Sequence, residues 1–264
     1  TGSFSILGSA AIVYMILSDW ENKFAKPSHR LMLSMSIFDV LQSAALAMST
    51  LAFPKETLIY GSIGSIQTCK AQYFFYALGL AVPMYNASLC LLYLLTIRYR
   101  LHQRYFSKKI EPFMHISSVL IPLSLAIVPV VMDDVLPGEG FCSISSASPV
   151  LFPAQMIAGI CFCVCLYSMV SISCFVNAQS NKMRKYTYGR ERMRRREEER
   201  RATIRQAIFY TFAFVITFLF VGVRSLVASY PVAILRIIFL PLQGFWNFLL
   251  YIRPVVTKRK KMTP

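Results

Sequence analysis

Asp39 is the single charge in an apolar run from about Leu31 to Phe53. Some eight residues into a helix rising about 1.5 Å per residue, it lies roughly 12 Å deep. An ionisable group at that depth must face other protein rather than lipid. It can hold a cation, switch on protonation or hydrogen-bond a neighbouring helix; the plainer reading is a satisfied structural hydrogen bond. Gln243, Gly244, Asn247 and Tyr251 recur at i, i+1, i+4 and i+8, and so share one helical face. Polar groups beside a glycine on one face suit close, hydrogen-bonded helix contact. Asn86 and Tyr93, seven residues apart, share a face of another segment. Asn86 opens an Asn-Ala-Ser triplet, but mid-span it is not expected to be glycosylated. Asp39, Asn86, Gln243, Asn247 and Tyr251 are the expected buried polar relay.

Arg224 and Arg236 stand near the ends of two further apolar runs. Each either points into a cavity, where it would meet an anionic ligand, or reaches to lipid headgroups. Asp133 and Asp134 are the acids placed to neutralise them, and these four residues are the expected lining of a ligand cavity. No enzyme constellation accompanies them. The chain has no His-Glu-x-x-His, no Gly-x-Ser-x-Gly and no paired acids within an apolar run. Cys161, Cys163 and Cys165 are two apart, so on a helix they face different ways. No His accompanies them, which favours packing over metal binding. A retinal Schiff base needs a lysine, and residues 237–252 contain none.

The elements that must position these groups follow from composition. The chain has 264 residues, 56% of them hydrophobic, with a net charge of +16. Only 15% are charged, against about 25% in an average soluble domain. That combination excludes an ordinary soluble domain and a nucleic-acid binder, and fits a chain crossing a membrane several times. A helical crossing needs about 20 residues. Apolar runs bounded by charges predict spans at about 1–18, 31–53, 70–98, 113–132, 149–178, 203–228 and 233–256. The first run lacks an initiator Met and a basic leader, so it reads as a span, and the chain as a core trimmed from a longer protein. The expectation is a single all-α domain over 1–264, a seven-transmembrane helix bundle.

Charge orients the bundle. Twenty-four of the 28 Lys and Arg fall on one side. They lie in the loops after the first, third and fifth spans and in the C-terminal tail; Lys55, Lys70, Arg224 and Arg236 fall toward the other. Short basic loops stay cytoplasmic. This predicts an extracellular N-terminus, a cytoplasmic C-terminus and an odd number of spans. The segment 190–201 mixes Arg and Glu at helical spacing. It is either a docking surface for a cytosolic partner or anionic lipid, or a topology signal on a solvated helix. Arg98, Arg100, Arg104, Lys182, Arg184, Arg194, Arg201 and Arg205 are the expected cytoplasmic partner face. Cys69 and Cys142 fall on the outer, oxidising side, where they either bridge or remain free thiols.

With these residues in hand, the layout resembles a G-protein-coupled receptor over nearly the whole chain. Residues His29-Arg30-Leu31 through Asp39-Val40-Leu41 look like its second helix, and Tyr85-Asn86 with Tyr93 through Tyr99 like its third. Pro241-Leu242-Gln243-Gly244-Phe245-Trp246-Asn247-Phe248-Leu249-Leu250-Tyr251 is similar to the seventh helix of slime-mould cyclic AMP receptors and, in its Gln243-Gly244-Phe245, to the Gln-Gly-Phe of secretin and adhesion receptors. The whole looks most like the cyclic-AMP-receptor-like branch of protists and algae. It departs from rhodopsin-like receptors at Thr96-Ile97-Arg98, where their acidic-Arg-Tyr triplet stands, and at Phe248 in place of their proline. Helix 4 lacks the usual Trp and helix 6 the usual Trp-x-Pro.

The resemblance implies a Cys69–Cys142 bridge, a heterotrimeric G protein as partner, a plasma-membrane location and no cofactor. The expected activity is receptor signalling: an extracellular small ligand, anionic if both arginines point inward, rearranges helices 5 and 6 at the cytoplasmic end. The alternative is a seven-span carrier of small solutes, which would carry symmetry-related repeats; none is visible. A ligand-free membrane scaffold is a third reading.

Overall fold

The computed structural model describes residues 1–145, 147–184, 209, 215–220, 222–223 and 229–262, with backbone alone for 176–177, 179–184 and 253–262. Over these residues the chain is all-α apart from one small hairpin. Helix α1 is Gly2–Leu17, the short α2 is Trp20–Phe24, and α3 is Pro27–Met48, running on into a 3-10 turn at Ser49–Ala52. Then come α4 (Ile66–Leu78), α5 (Ala81–Ile97), the single turn α6 (Gln103–Tyr105) and, after a π-turn at Phe106–Ile110, α7 (Glu111–Val131). Strands β1 (Val135–Pro137) and β2 (Cys142–Ile144) pair antiparallel, with Leu136 opposite Ser143. Helix α8 is Leu151–Arg184, α9 is Tyr230–Phe239, and α10 is Gln243–Met262 after a 3-10 turn at Leu240–Leu242.

Local chemistry explains the boundaries. Pro27 opens α3 in its first turn, where its missing N–H is no loss. Ser65 and Thr68 form a reciprocal capping box at the start of α4. The expected third span, 70–98, is interrupted: α4 ends at Leu78 and α5 begins at Ala81. Pro83 cannot donate to the carbonyl of residue 79, so the ladder breaks there. Gly79 also lies against the Gln42 side chain, where a Cβ would overlap its amide.

Among the described residues, five helical stretches are long and apolar enough to cross a membrane: Pro27–Ala52, Ile66–Ile97, Gln103–Val131, Leu151–Phe175 and Tyr230–Ile252. Gly2–Leu17 is apolar but shorter. The expected span at 203–228 lies largely outside the described residues, which include a helical stretch at 215–220. Outward faces remain apolar: Phe4, Leu7, Phe113, Leu120, Ile160 and Val170 are all exposed. In water such faces would aggregate; in lipid they are the solvated surface. These features mark a membrane protein.

Helix α1 packs against α3 and α10, α3 against α4 and α5, α4 against α7, and α5 against α8. The main core gathers Ile12, Ile16, Leu31, Met35, Tyr85, Leu89 and Tyr251. A second cluster of Phe53, Cys69, Tyr73, Val135 and Cys142 seats the hairpin on α4. That defines a disulfide end of the bundle, opposite the end where α5 and α7 meet through α6.

Candidate functional site

Asp39 sits where three helices converge. It is 2% exposed, and its Oδ2 accepts from Ser5 Oγ at 3.0 Å and Ser9 Oγ at 2.6 Å, both on α1. Ser5 Oγ in turn accepts from the backbone N–H of Gly244, 2.8 Å away on α10. Such contact requires glycine on both helices. A Cβ on Gly8 would lie 2.8 Å from the Gly244 carbonyl oxygen, and one on Gly244 would overlap Asp39 and both serines. The carboxylate therefore joins α1, α3 and α10 through groups that only small residues let approach. Ser5, Gly8 and Ser9 were not among the expected site residues, although their i, i+3, i+4 spacing is readable as a small-residue stripe.

The other expected relay members are buried but not all joined to that carboxylate. Gln243 is 2% exposed, and neither its Nε2 nor its Oε1 has a hydrogen-bond partner among the described residues. Asn247 lies against α3, its Nδ2 4.0 Å from Met35 Sδ. Tyr251 packs edge-on to the His29 ring at 6.0 Å, with Lys23 Nζ 5.9 Å from its centroid. The stripe therefore runs along α3 from the Asp39 junction toward the α2 end. Asn86 is 3% exposed on α5, and its Nδ2 has no hydrogen-bond partner among the described residues.

At the disulfide end, Cys69 and Cys142 are bonded, joining α4 to β2. Gln72, one helical turn on, does the same by hydrogen bonds. Its Nε2 donates to the carbonyls of Ala45 (3.0 Å) and Ser49 (2.8 Å), and its Oε1 accepts from the Cys142 N–H at 2.9 Å. The hairpin is thus fastened to α3 as well as α4. Beneath it lies Arg236. Its Nη2 donates to Tyr76 Oη at 3.2 Å, and its guanidinium carbon is 5.3 Å from the Phe141 ring centroid. Among the described residues its buried Nε has no hydrogen-bond partner. Among the described residues no carboxylate pairs with it; Asp133 is exposed and bonds Lys70 instead. Asp134 is half-buried beside it in sequence, and Arg224 lies outside the described residues. Phe141 also borders a cavity of about 260 Å³ between α1, α3, the hairpin and α9, lined by Gly2, Ser49, Ile237 and Pro241 among others.

The opposite end carries the expected partner face. Arg98, Arg100 and Arg104 are exposed. Arg98 Nη1 donates to Ser171 Oγ, linking α5 to α8, and its guanidinium lies 5.6 Å from the Tyr99 ring centroid. The side chains of Lys182 and Arg184, and all of Arg194, Arg201 and Arg205, lie outside the described residues. An unforeseen ion pair anchors this end. Arg30 Nε and Nη2 each reach a Glu111 carboxylate oxygen at 2.6 Å, a bidentate pair between α3 and α7. Nη1 donates to the Phe24 carbonyl (2.6 Å) and Nη2 to Ser107 Oγ (2.5 Å). His115 Nε2 is 3.7 Å from Glu111, and its Nδ1 is 3.1 Å from Tyr85 Oη in the main core. The readable signal was Glu111 itself, the only acid among the basic residues between the third and fourth spans.

No group of three or more metal-ligating side chains occurs among the described residues. No protein-family model matches the sequence, and no characterised protein is significantly similar to it.

Proposed function

We propose that this chain is a seven-span signalling receptor of the G-protein-coupled type in the plasma membrane, with the disulfide end outside and the basic end in the cytoplasm. Its ligand is a small anion, held beneath the hairpin by Arg236. The observation that carries this reading is the state of that arginine: a cation drawn in under a doubly fastened lid, with an aromatic face on one side, a donor to spare and no carboxylate among the described residues. A lone guanidinium so placed favours an anionic guest over lipid headgroups. The basic end, with Arg98 bonded between α5 and α8, is where a heterotrimeric G protein or anionic lipid would dock. Ligand binding shifts the bundle toward a state in which α8 and the following span part at that end.

The test is a second-messenger assay in cells bearing the chain, challenged with a panel of nucleotides, carboxylates and phosphates. One or more anions should produce a response that Arg236→Gln weakens at least tenfold in half-maximal concentration and Arg236→Lys weakens less. A response confined to neutral or cationic compounds, or one indifferent to Arg236→Gln, overturns the anionic assignment. Flux of a labelled solute without any messenger response overturns the receptor reading.

A further inference from the structure

The segment joining α3 to α4 folds back along the end of α3 instead of rising above it. Backbone bonds close its base: Lys55 N–H donates to the Gly64 carbonyl at 3.3 Å and Gly64 N–H to the Phe53 carbonyl at 2.9 Å. Thr68 Oγ1 donates to the Ala52 carbonyl at 2.9 Å, pinning the start of α4 to the same place. The tip then returns downward. Thr50 Oγ1 donates to the carbonyl of Tyr60 at 3.2 Å, and a Cβ on Gly61 would stand 3.1 Å from Thr50 Oγ1. Thr50 lies within Pro27–Ala52, one of the stretches able to cross a membrane. The tip is therefore level with the last turn of that stretch.

Its side chains nevertheless point away from the protein. Leu58 is 92% exposed, Tyr60 98% and Ile63 66%. Leu51 and Ile66, on the flanking elements, continue the apolar surface. Leu58 also holds a left-handed backbone, φ 54° and ψ 18°. That conformation costs a residue with a Cβ about 1–2 kcal/mol, and a turn chosen for shape alone would place Gly or Asn there. A leucine kept there, fully turned out, is explained by what its side chain meets. At the end of a membrane-crossing helix that medium is the boundary between headgroups and acyl chains, where aliphatic groups bury and a tyrosine keeps its hydroxyl wet.

We propose that residues 58–63 form an interfacial foot, inserting Leu58, Tyr60 and Ile63 into the leaflet at the disulfide end and fixing the depth of α3 and α4. This rests on the membrane-crossing reading of the helices and not on the receptor reading. The test uses the full chain in phosphatidylcholine nanodiscs, with bromine either absent or placed high on the acyl chains. Leu58→Trp and Tyr60→Trp are each measured as the difference from the parent, which contains Trp20 and Trp246. Leu120→Trp on the exposed face of α7 reports whether that helix contacts lipid at all. At positions 58 and 60 the added emission should be quenched at least twofold by bromolipid and little by aqueous iodide. Quenching by iodide without quenching by bromolipid overturns the foot and leaves a surface open to a soluble partner. If Leu120→Trp is quenched by bromolipid while 58 and 60 are not, the foot alone fails. If Leu120→Trp also escapes, the membrane reading fails and takes the foot with it.

Discussion

Gly244→Ala tests the three-helix junction at its tightest point. A Cβ there would overlap Asp39 Oδ2, Ser9 Oγ and Ser5 Oγ, the farthest of them only 2.5 Å away. The backbone cannot withdraw easily, because on the other side Gly8 already brings α1 to within a Cβ of the Gly244 carbonyl. Overpacking a filled interior costs about 1–3 kcal/mol. Displacing the carboxylate loosens two serine hydrogen bonds to a charged acceptor, each worth about 1.5–3 kcal/mol. The effects overlap, so the expected loss is about 3–5 kcal/mol in all. For a chain of this size that lowers the melting temperature by about 10 °C. The assay is thermal unfolding in one detergent, followed by reactivity of the buried thiols Cys90, Cys161 and Cys165. Ser5→Ala with Ser9→Ala removes two of the three overlapped oxygens, so Gly244→Ala should cost about half as much in that background. Gly159→Ala, where an added Cβ meets nothing within 4 Å, should be neutral or stabilising by up to about 1 kcal/mol. A Gly244→Ala protein melting within a degree of the parent would refute the close approach of α1 and α10, and with it the junction in which Ser5 links the Gly244 N–H to Asp39.

Three further changes probe separate parts of the bundle. Cys69→Ser with Cys142→Ser opens a bridge of sequence separation 73, a loss of about 4 kcal/mol on the loop-entropy estimate; Gln72 should keep the hairpin seated, so limited proteolysis should cut the hairpin faster while sparing the helices. Glu111→Gln leaves Arg30 without its counter-charge and should cost about 3 kcal/mol, whereas Arg30→Met with Glu111→Leu should recover most of it; a double variant as unstable as the single one would refute this. Gln243→Met should melt at or slightly above the parent temperature, since the amide it removes has no partner among the described residues. If Gln243 serves the relay, that stable variant should lose its messenger response.

What the sequence makes legible follows from how each signal is encoded. Helices of a membrane protein are written as long apolar runs, so α1, α3, α7 and α8 overlap the runs at 1–18, 31–53, 113–132 and 149–178, although α3 starts four residues before its run and α8 ends six residues after. Asp39 stands out because its surroundings are apolar, and its burial follows from energy alone. Its partners do not stand out. Ser5, Gly8 and Ser9 form a small-residue stripe by their spacing, but such residues are common and tolerated on any face of a membrane helix, so the stripe does not show which acid it serves. The same holds for Gln72, whose two carbonyl partners, on α3 and on the 3-10 turn that follows it, belong to the backbone and carry no side-chain code.

The charged residues show the limit most clearly. Arg30 and Glu111 are 81 residues apart, and each on its own reads as a solvated charge at a helix end. Their pairing depends on α3 and α7 lying side by side at one end, which neither run reveals. Arg236 is the reverse case. By sequence Asp133 and Asp134 are the acids placed to neutralise it, yet Asp133 is drawn to Lys70 at the head of α4, leaving Arg236 to Tyr76 and Phe141. Counting charges by side groups them at one end. Which cation keeps an acid is decided by helix neighbours, and that choice is what leaves one guanidinium under the hairpin without an acid among the described residues.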